Sequence, residues 1–400
     1  MYLRKQGAGQ RAALYAAACA IALACSTAAT AQIAQQVDLV TDDNAFLTSQ
    51  GLPAANTVDP HLINPWGMSY SATSPFWISN QGTGTSTLYT GNGTPAPQPT
   101  PLIVTIPGVI GPTGQAFTGG SGFAMDGGGT AAFVFSTLDG TIAAWNGASG
   151  TTASVQATTP GAVYTGIAQG SSGSSNFLFA ANNAGGTVDV FDQNFDQVSL
   201  APGAFTDPNL AAGLSPFNVV NIGGQLFVTY SAGGPDADEQ ALGTGAVDVF
   251  STDGTLLSHF AAGSLSGGLL DSLVSPWGVA QAPTGFADLA GDILIGNFSD
   301  ENGFINIFDT SGNFLGVLTM AGGDAFNMPY LWALGFRTGG PNVSPTSLYF
   351  TAGIGDEEHG LFGELRPVPE PSTWAMMLVG FGGMGMAFRR AKPKLARAPA

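Results

Sequence analysis

Ser275-Pro276-Trp277-Gly278-Val279 is followed by Ile293-Leu294-Ile295, by Phe304-Ile305-Asn306-Ile307-Phe308, and by the polar turn Ser311-Gly312-Asn313. The third piece alternates at period 2, the pattern of a strand with one buried face. The same order recurs along the chain. Openings of the Pro/aromatic/Gly kind stand at Pro65-Trp66-Gly67-Met68 and Pro216-Phe217-Asn218-Val219. Weaker copies are Gly122-Phe123-Ala124-Met125, Thr165-Gly166-Ile167-Ala168 and Trp332-Ala333-Leu334-Gly335. Apolar second strands follow, such as Phe76-Trp77-Ile78, Phe133-Val134-Phe135 and Leu348-Tyr349-Phe350. Thr187-Val188-Asp189-Val190-Phe191 and Ala246-Val247-Asp248-Val249-Phe250 repeat the alternating third strand. Asp253-Gly254, a hairpin signal, leads to a fourth strand, Leu256-Leu257-Ser258-His259-Phe260.

Four antiparallel strands per unit, at spacings of roughly 42 to 60 residues, describe a β-propeller blade. Starts near Pro65, Gly122, Thr165, Pro216, Pro276 and Trp332 predict an all-β, six-bladed propeller of four-stranded blades. No fourth strand follows Leu365 in the last unit. Val37-Asp38-Leu39-Val40-Thr41, unattached near the N-terminus, is expected to take that outer position and close the ring, removing an open sheet edge.

Composition agrees. Gly 58 and Pro 25 make about a fifth of the 400 residues, and charged residues are only 9%. Helix bundles and coiled coils need far more charge on helical repeats. Between Gln32 and Glu370 there are two basic residues, Arg337 and Arg366, against all 27 acidic ones, a net −25. Such a surface offers no cationic footprint for nucleic acid and attracts divalent cations or basic partners. Both cysteines, Cys19 and Cys25, lie in the N-terminal apolar segment, which excludes a disulfide scaffold or thiol chemistry in the middle.

The two ends read as addresses. Residues 1–31 have a basic start (Arg4, Lys5, Arg11), an apolar run from Ala12 to Ala24, and a small-x-small cleavage site at Ala29-Thr30-Ala31. Export through the Sec translocon is expected to leave Gln32 first. At the other end, Pro369-Glu370-Pro371 is followed by the apolar stretch Trp374 to Phe388 and by Arg389, Arg390, Lys392, Lys394 and Arg397. This order resembles the PEP-CTERM sorting signal of Gram-negative bacteria. The resemblance implies processing by an exosortase, a transient inner-membrane anchor, and a final place in the cell envelope or outside the cell. Expected domains are therefore a signal peptide (1–31), a propeller (32–366) and a sorting signal (367–400).

Repeat and ends together resemble a family of uncharacterised secreted bacterial proteins with a six-bladed propeller. Asn64-Pro65-Trp66-Gly67, Phe205-Thr206-Asp207-Pro208-Asn209-Leu210, Ser275-Pro276-Trp277-Gly278 and the segment from Thr351 to Gly363 carry that resemblance. It implies the architecture and brings no catalytic residues with it.

With strands A to D in each blade, the D–A and B–C loops share one end of the ring, here the upper face, which collects most of the acid. Asp356, Glu357 and His359, with Asp59 and His61 from the neighbouring blade, are the candidate metal ligands, and Ca²⁺ is the expected ion. A solvated loop and unrelated surface histidines account for the same residues equally simply. Asp236, Asp238 and Glu239 fail as an EF-hand, since Ala241 stands where Gly is needed. His259, in an outer strand, is assigned no role. Trp66, Trp77, Trp277 and Trp332 fit inner-strand packing better than sugar stacking. Gly-x-Ser-x-Gly, His-Glu-x-x-His, P-loop and dinucleotide signatures are absent, so no cofactor is required by any motif. The reading is a monomeric binding or interaction module, with exopolysaccharide or envelope components as partners. The alternatives are an upper-face metal-dependent hydrolase or lyase, and a structural matrix protein.

Overall fold

The computed structural model describes residues 34–119, 122–232, 243–262 and 273–368. The signal-peptide residues Ala29 and Ala31, the Pro369-Glu370-Pro371 motif and the triplet Asp236, Asp238 and Glu239 lie outside them.

The described chain starts with β1 (Ala34–Thr41), the short helix α1 (Asn44–Ser49) and β2 (Thr57–Val58). Blade 1 comprises β3 (Pro65–Ser69), β4 (Phe76–Asn80), β5 (Thr85–Tyr89) and β6 (Ile103–Thr105). Blade 2 comprises β7 (Pro112–Phe117), β8 (Phe133–Thr137), β9 (Thr141–Trp145) and β10 (Ser154–Thr158). Blade 3 has three strands, β11 (Tyr164–Ser172), β12 (Ser175–Asn182) and β13 (Thr187–Phe191). Blade 4 comprises β14 (Ser215–Ile222), β15 (Gln225–Ser231), β16 (Ala246–Phe250) and β17 (Leu256–Ala262). Blade 5 comprises β18 (Pro276–Gln281), β19 (Ile293–Asn297), β20 (Ile305–Phe308) and β21 (Phe314–Val317). Blade 6 comprises β22 (Leu331–Phe336), β23 (Leu348–Ala352) and β24 (Leu361–Pro367), and its fourth strand is β1. β1 runs antiparallel to β24, from Ala34 opposite Pro367 to Thr41 opposite Leu361, so the N-terminal strand closes the ring as expected.

The recurring Pro-aromatic-Gly opening has a geometric cause. All six innermost strands carry a β-bulge at this point, for example between Pro65 and Met68 in β3 and between Pro276 and Val279 in β18. Proline suits a strand's first residue, where no ladder donor is needed. Glycine suits the bulge because neighbouring inner strands nearly touch there. A Cβ on Gly67 would lie 2.6 Å from the Thr113 carbonyl oxygen, and one on Gly278 would lie 2.5 Å from that of Trp332. The hydrophobic core is distributed as slabs between adjacent blades. Trp77, Leu88, Phe133 and Phe135 fill the slab between blades 1 and 2. Leu39 and Val40 of β1 join Phe76, Tyr349 and Phe362 between blades 6 and 1.

Two expectations need correction. Blade 2 opens at Pro112-Thr113-Gly114, which keeps the proline and glycine and lacks the aromatic residue. Gly122-Phe123-Ala124-Met125 instead belongs to the connection from β7 to β8, where Phe123 is fully buried against blade 3 side chains. Blade 3 lacks a fourth strand. After β13 the chain pairs through Phe191 with Gln197, through the Asp192 N–H to the Asp196 carbonyl (2.9 Å) and through the Val198 N–H to the Val190 carbonyl (2.7 Å), short of a strand. Pro202-Gly203 and Pro208 then interrupt any ladder.

Candidate functional site

The ring's central channel differs at its two ends. Upper halves of the inner strands supply Trp66, Phe217, Trp277 and Trp332, and nearby loops supply Phe298 and Tyr330. Trp332 stacks on Trp66 at 3.6 Å and on Phe298 at 3.8 Å between ring centroids, and meets Trp277 edge-on at 5.7 Å. Its indole N–H donates to Asn64 Oδ1 (3.1 Å), and that of Trp277 donates to the Thr165 carbonyl (3.0 Å). This aromatic plug fills the upper end of the channel. Trp66, Trp277 and Trp332 thus pack between inner strands as expected, whereas Trp77, on the second strand β4, packs on Phe133 and Trp145 between blades 1 and 2.

The lower halves of the same strands diverge around a cavity of about 530 Å³. Its wall includes Ser69, Tyr70, Gln115, Gln169, Asn218, Asn221, Gln281, Phe117 and Phe336, with Trp277 at its floor, and among the described residues it has no Asp, Glu, Lys, Arg or His. Several wall amides are fixed by hydrogen bonds to backbone carbonyls, Gln115 Nε2 also to that of Trp77. Gln115 Nε2 donates to the Gly67 carbonyl (2.9 Å), Asn221 Nδ2 to that of Gln169 (2.8 Å), and Gln281 Nε2 to that of Gly291 (3.0 Å). Tyr70 donates its hydroxyl to the Phe336 carbonyl, and burial pushes its phenol up to about 12 against the opposing Arg337 charge. Behind that wall the buried Arg337 guanidinium covers the Tyr70 and Phe76 rings and donates to the Ser71 carbonyl (2.9 Å). The funnel therefore offers aromatic surface and oriented amides, and no group that exchanges a proton near neutral pH.

The structure does not bring the five expected metal ligands into one group. Asp59 Oδ1 faces His61 Nδ1 (2.9 Å), and Asp59 Oδ2 accepts from the Tyr89 hydroxyl (2.8 Å). Asp356 accepts from the Tyr330 hydroxyl (2.6 Å), and Glu357 from Asn64 Nδ2 (2.8 Å). His359 turns to Asp42 (Nδ1 to Oδ2, 2.7 Å) and stacks on Phe46 of α1. These hydrogen bonds tie side chains of blades 1 and 6 to their neighbours at the closing seam.

Among the described residues one other trio of metal-ligating side chains does converge. Asp207, in the loop before β14, Asp248 in β16 and His259 in β17 place their ligand atoms within 4.8 Å of one another. Both carboxylate side chains are wholly buried, and the His259 side chain is 33% exposed. Burial pushes the Asp248 carboxyl up to about 6, with the Asp207 charge adding to it and the His259 contacts opposing. Tyr230, facing Asp248, is raised by burial and by that carboxylate. The signal for this trio was present in the sequence: a hairpin centred on Asp253-Gly254 sets residue 248 opposite residue 259, and that is the observed register.

Comparison with known proteins adds the C-terminal address. Residues 367–391 match the PEP-CTERM protein-sorting motif. The chain carries a PEP-CTERM sorting motif. The PEP-CTERM motif implies processing by an exosortase and sorting to the cell surface. Over the propeller, the chain is 29% identical across 337 residues to Uncharacterized protein L690 of Acanthamoeba polyphaga mimivirus, covering 80% of this chain and 84% of that one. Among solved structures it is similar to a structural genomics protein of unknown function from Bacteroides thetaiotaomicron (10% identity, TM-score 0.49, 84% and 72% of the two chains). A streptogramin B lyase is similar at 12% identity and TM-score 0.46, over 77% of this chain and 95% of that one.

Proposed function

We propose that this PEP-CTERM propeller is a binding module of the cell envelope whose lower funnel holds an uncharged, hydroxyl-rich ligand, a neutral polysaccharide chain being the chemistry it fits. The observation that carries the reading is the funnel's lining of amides and aromatic rings, in which Tyr70 is the one ionisable group among the described residues. Amides give directional bonds to hydroxyls, and aromatic faces give stacking surface for sugar rings. An acidic ligand would find no cation in the wall and would approach an acidic ring. A hydrolase or lyase acting through general acid–base catalysis would need a titratable pair at the bound bond, and among the described residues the funnel wall presents only Tyr70. The sorting motif supports a location at the cell surface. The test is calorimetric titration of the full chain with neutral and with uronic-acid oligosaccharides. Neutral chains are expected to bind, and Gln281→Leu to weaken them about tenfold while leaving the melting temperature unchanged. Binding only of the acidic series would overturn the reading.

A further inference from the structure

We propose that Asp207, Asp248 and His259 are the protein ligands of a divalent transition-metal ion of the zinc class, bound at the outer strands of blade 4 with one position open to water. The argument begins with the repeat. Asp248 lies opposite Val228 in the middle of its blade, and Thr87, Asp189 and Asn306 occupy the matching place opposite Ile78, Ala180 and Ile295. In those three blades the residue two places further along the second strand is an asparagine, and its Nδ2 donates across to the third strand. Asn80 donates to Thr87 (3.0 Å), Asn182 to Asp189 (2.9 Å) and Asn297 to Asn306 (2.6 Å). Asp189 also accepts from the Tyr164 and Thr187 hydroxyls, both at 2.9 Å, so a buried carboxylate at this place can be satisfied by neutral donors alone.

Blade 4 departs from this scheme. Tyr230 replaces the asparagine, and a second carboxylate and an imidazole are brought in. Asp248 Oδ1 and Asp207 Oδ2 both lie 2.7 Å from the same nitrogen, His259 Nδ1. That nitrogen carries one hydrogen at most, so it donates to one of the two oxygens. The Tyr230 hydroxyl faces the Asp248 carboxylate, yet Asp207 Oδ2, aimed at the trio, and Asp248 Oδ2 are both buried without a hydrogen-bond donor of their own. Two buried carboxylates served by one imidazole and one neutral phenol are short of positive charge, a costly state that a divalent ion relieves. Metal bonds of ~2.1 Å at tetrahedral angles set ligand atoms ~3.4 Å apart, so the two 2.7 Å contacts would open by less than ~1 Å to admit the ion.

The donor set selects the ion. One imidazole with two carboxylates suits zinc and its neighbours, whereas Ca²⁺ takes oxygen ligands throughout. The partly exposed His259 leaves a side of the site open to solvent. Asp207 comes from the Pro-interrupted segment that stands where blade 3 lacks its fourth strand, so the ion would fasten that segment to the outer hairpin of blade 4.

The experiment loads the metal-stripped full chain with Zn²⁺ or Co²⁺, removes excess by gel filtration, and measures bound metal, the Co²⁺ visible spectrum and the thermal midpoint. One equivalent per chain is expected, with a rise of several degrees in midpoint that Ca²⁺ at equal ionic strength does not give. His259→Gln, at a partly exposed position and checked for folding by circular dichroism, should lose both metal and shift. Asp207→Asn should do the same, and His359→Gln should keep both. No retained metal, unchanged retention in a folded His259→Gln protein, or an equal shift with Ca²⁺ would each overturn the site.

Discussion

A chain lacking residues 34–41 is expected to lose its cooperative thermal transition, or to melt at least ten degrees below the intact protein. β1 is the outer strand of blade 6 and lies in the slab that joins the last blade to the first. Leu39 and Val40 are fully buried there, Ala34 is fully buried where it bridges to Met320, and the Thr41 hydroxyl donates to the Gly360 carbonyl (2.8 Å). Each buried aliphatic side chain contributes ~1.5–3 kcal/mol, so the strand supplies on the order of 5 kcal/mol before its ladder bonds are counted. Whole domains have only ~5–15 kcal/mol to lose. Deletion also uncovers the edge of β24 along its full length, which invites aggregation. Far-ultraviolet circular dichroism during heating is the measurement. A midpoint equal to that of the intact chain would mean that the ring does not depend on its N-terminal strand.

Trp332→Ala is expected to destabilise the protein by ~3–5 kcal/mol, read as a lower urea midpoint with an unchanged slope. The indole is wholly buried, sandwiched between Trp66 and Phe298, and hydrogen-bonded to Asn64. Asn64 in turn holds Gln81 and Glu357, so its acceptor oxygen would be left facing a void. Trp332→Phe keeps part of the stack and should cost less. A loss below ~1 kcal/mol for the alanine variant would mean that the plug is not closely packed.

Much of the ring was readable because its geometry repeats. Wherever proline, an aromatic residue and glycine coincide, as at Pro65, Pro216 and Pro276 in part or in full, the inner strand begins where the sequence places it. Blade 2 was harder because Thr113 stands in the aromatic place, while Gly122-Phe123 supplies a decoy that is buried for a different reason, packing beneath blade 3. The end of the channel that would be open could not be read from strand order. It depends on indoles from three inner strands meeting at one height, which only the closed ring brings about. Acidic loop residues attracted attention as metal ligands, yet Asp59, Asp356 and Glu357 serve tyrosines and an asparagine at the closing seam. His259 was passed over because it was read as one residue of an outer strand rather than through the register of its hairpin.

The lower funnel as ligand face is the central claim, and hydrogen–deuterium exchange with a bound neutral oligosaccharide tests it most directly. Protection is expected in peptides that cover residues 67–70, 114–117, 218–223, 277–281 and 333–336, which wall the cavity. Protection confined to the upper loops at 59–64 and 353–359, with the funnel peptides unchanged, would contradict the account.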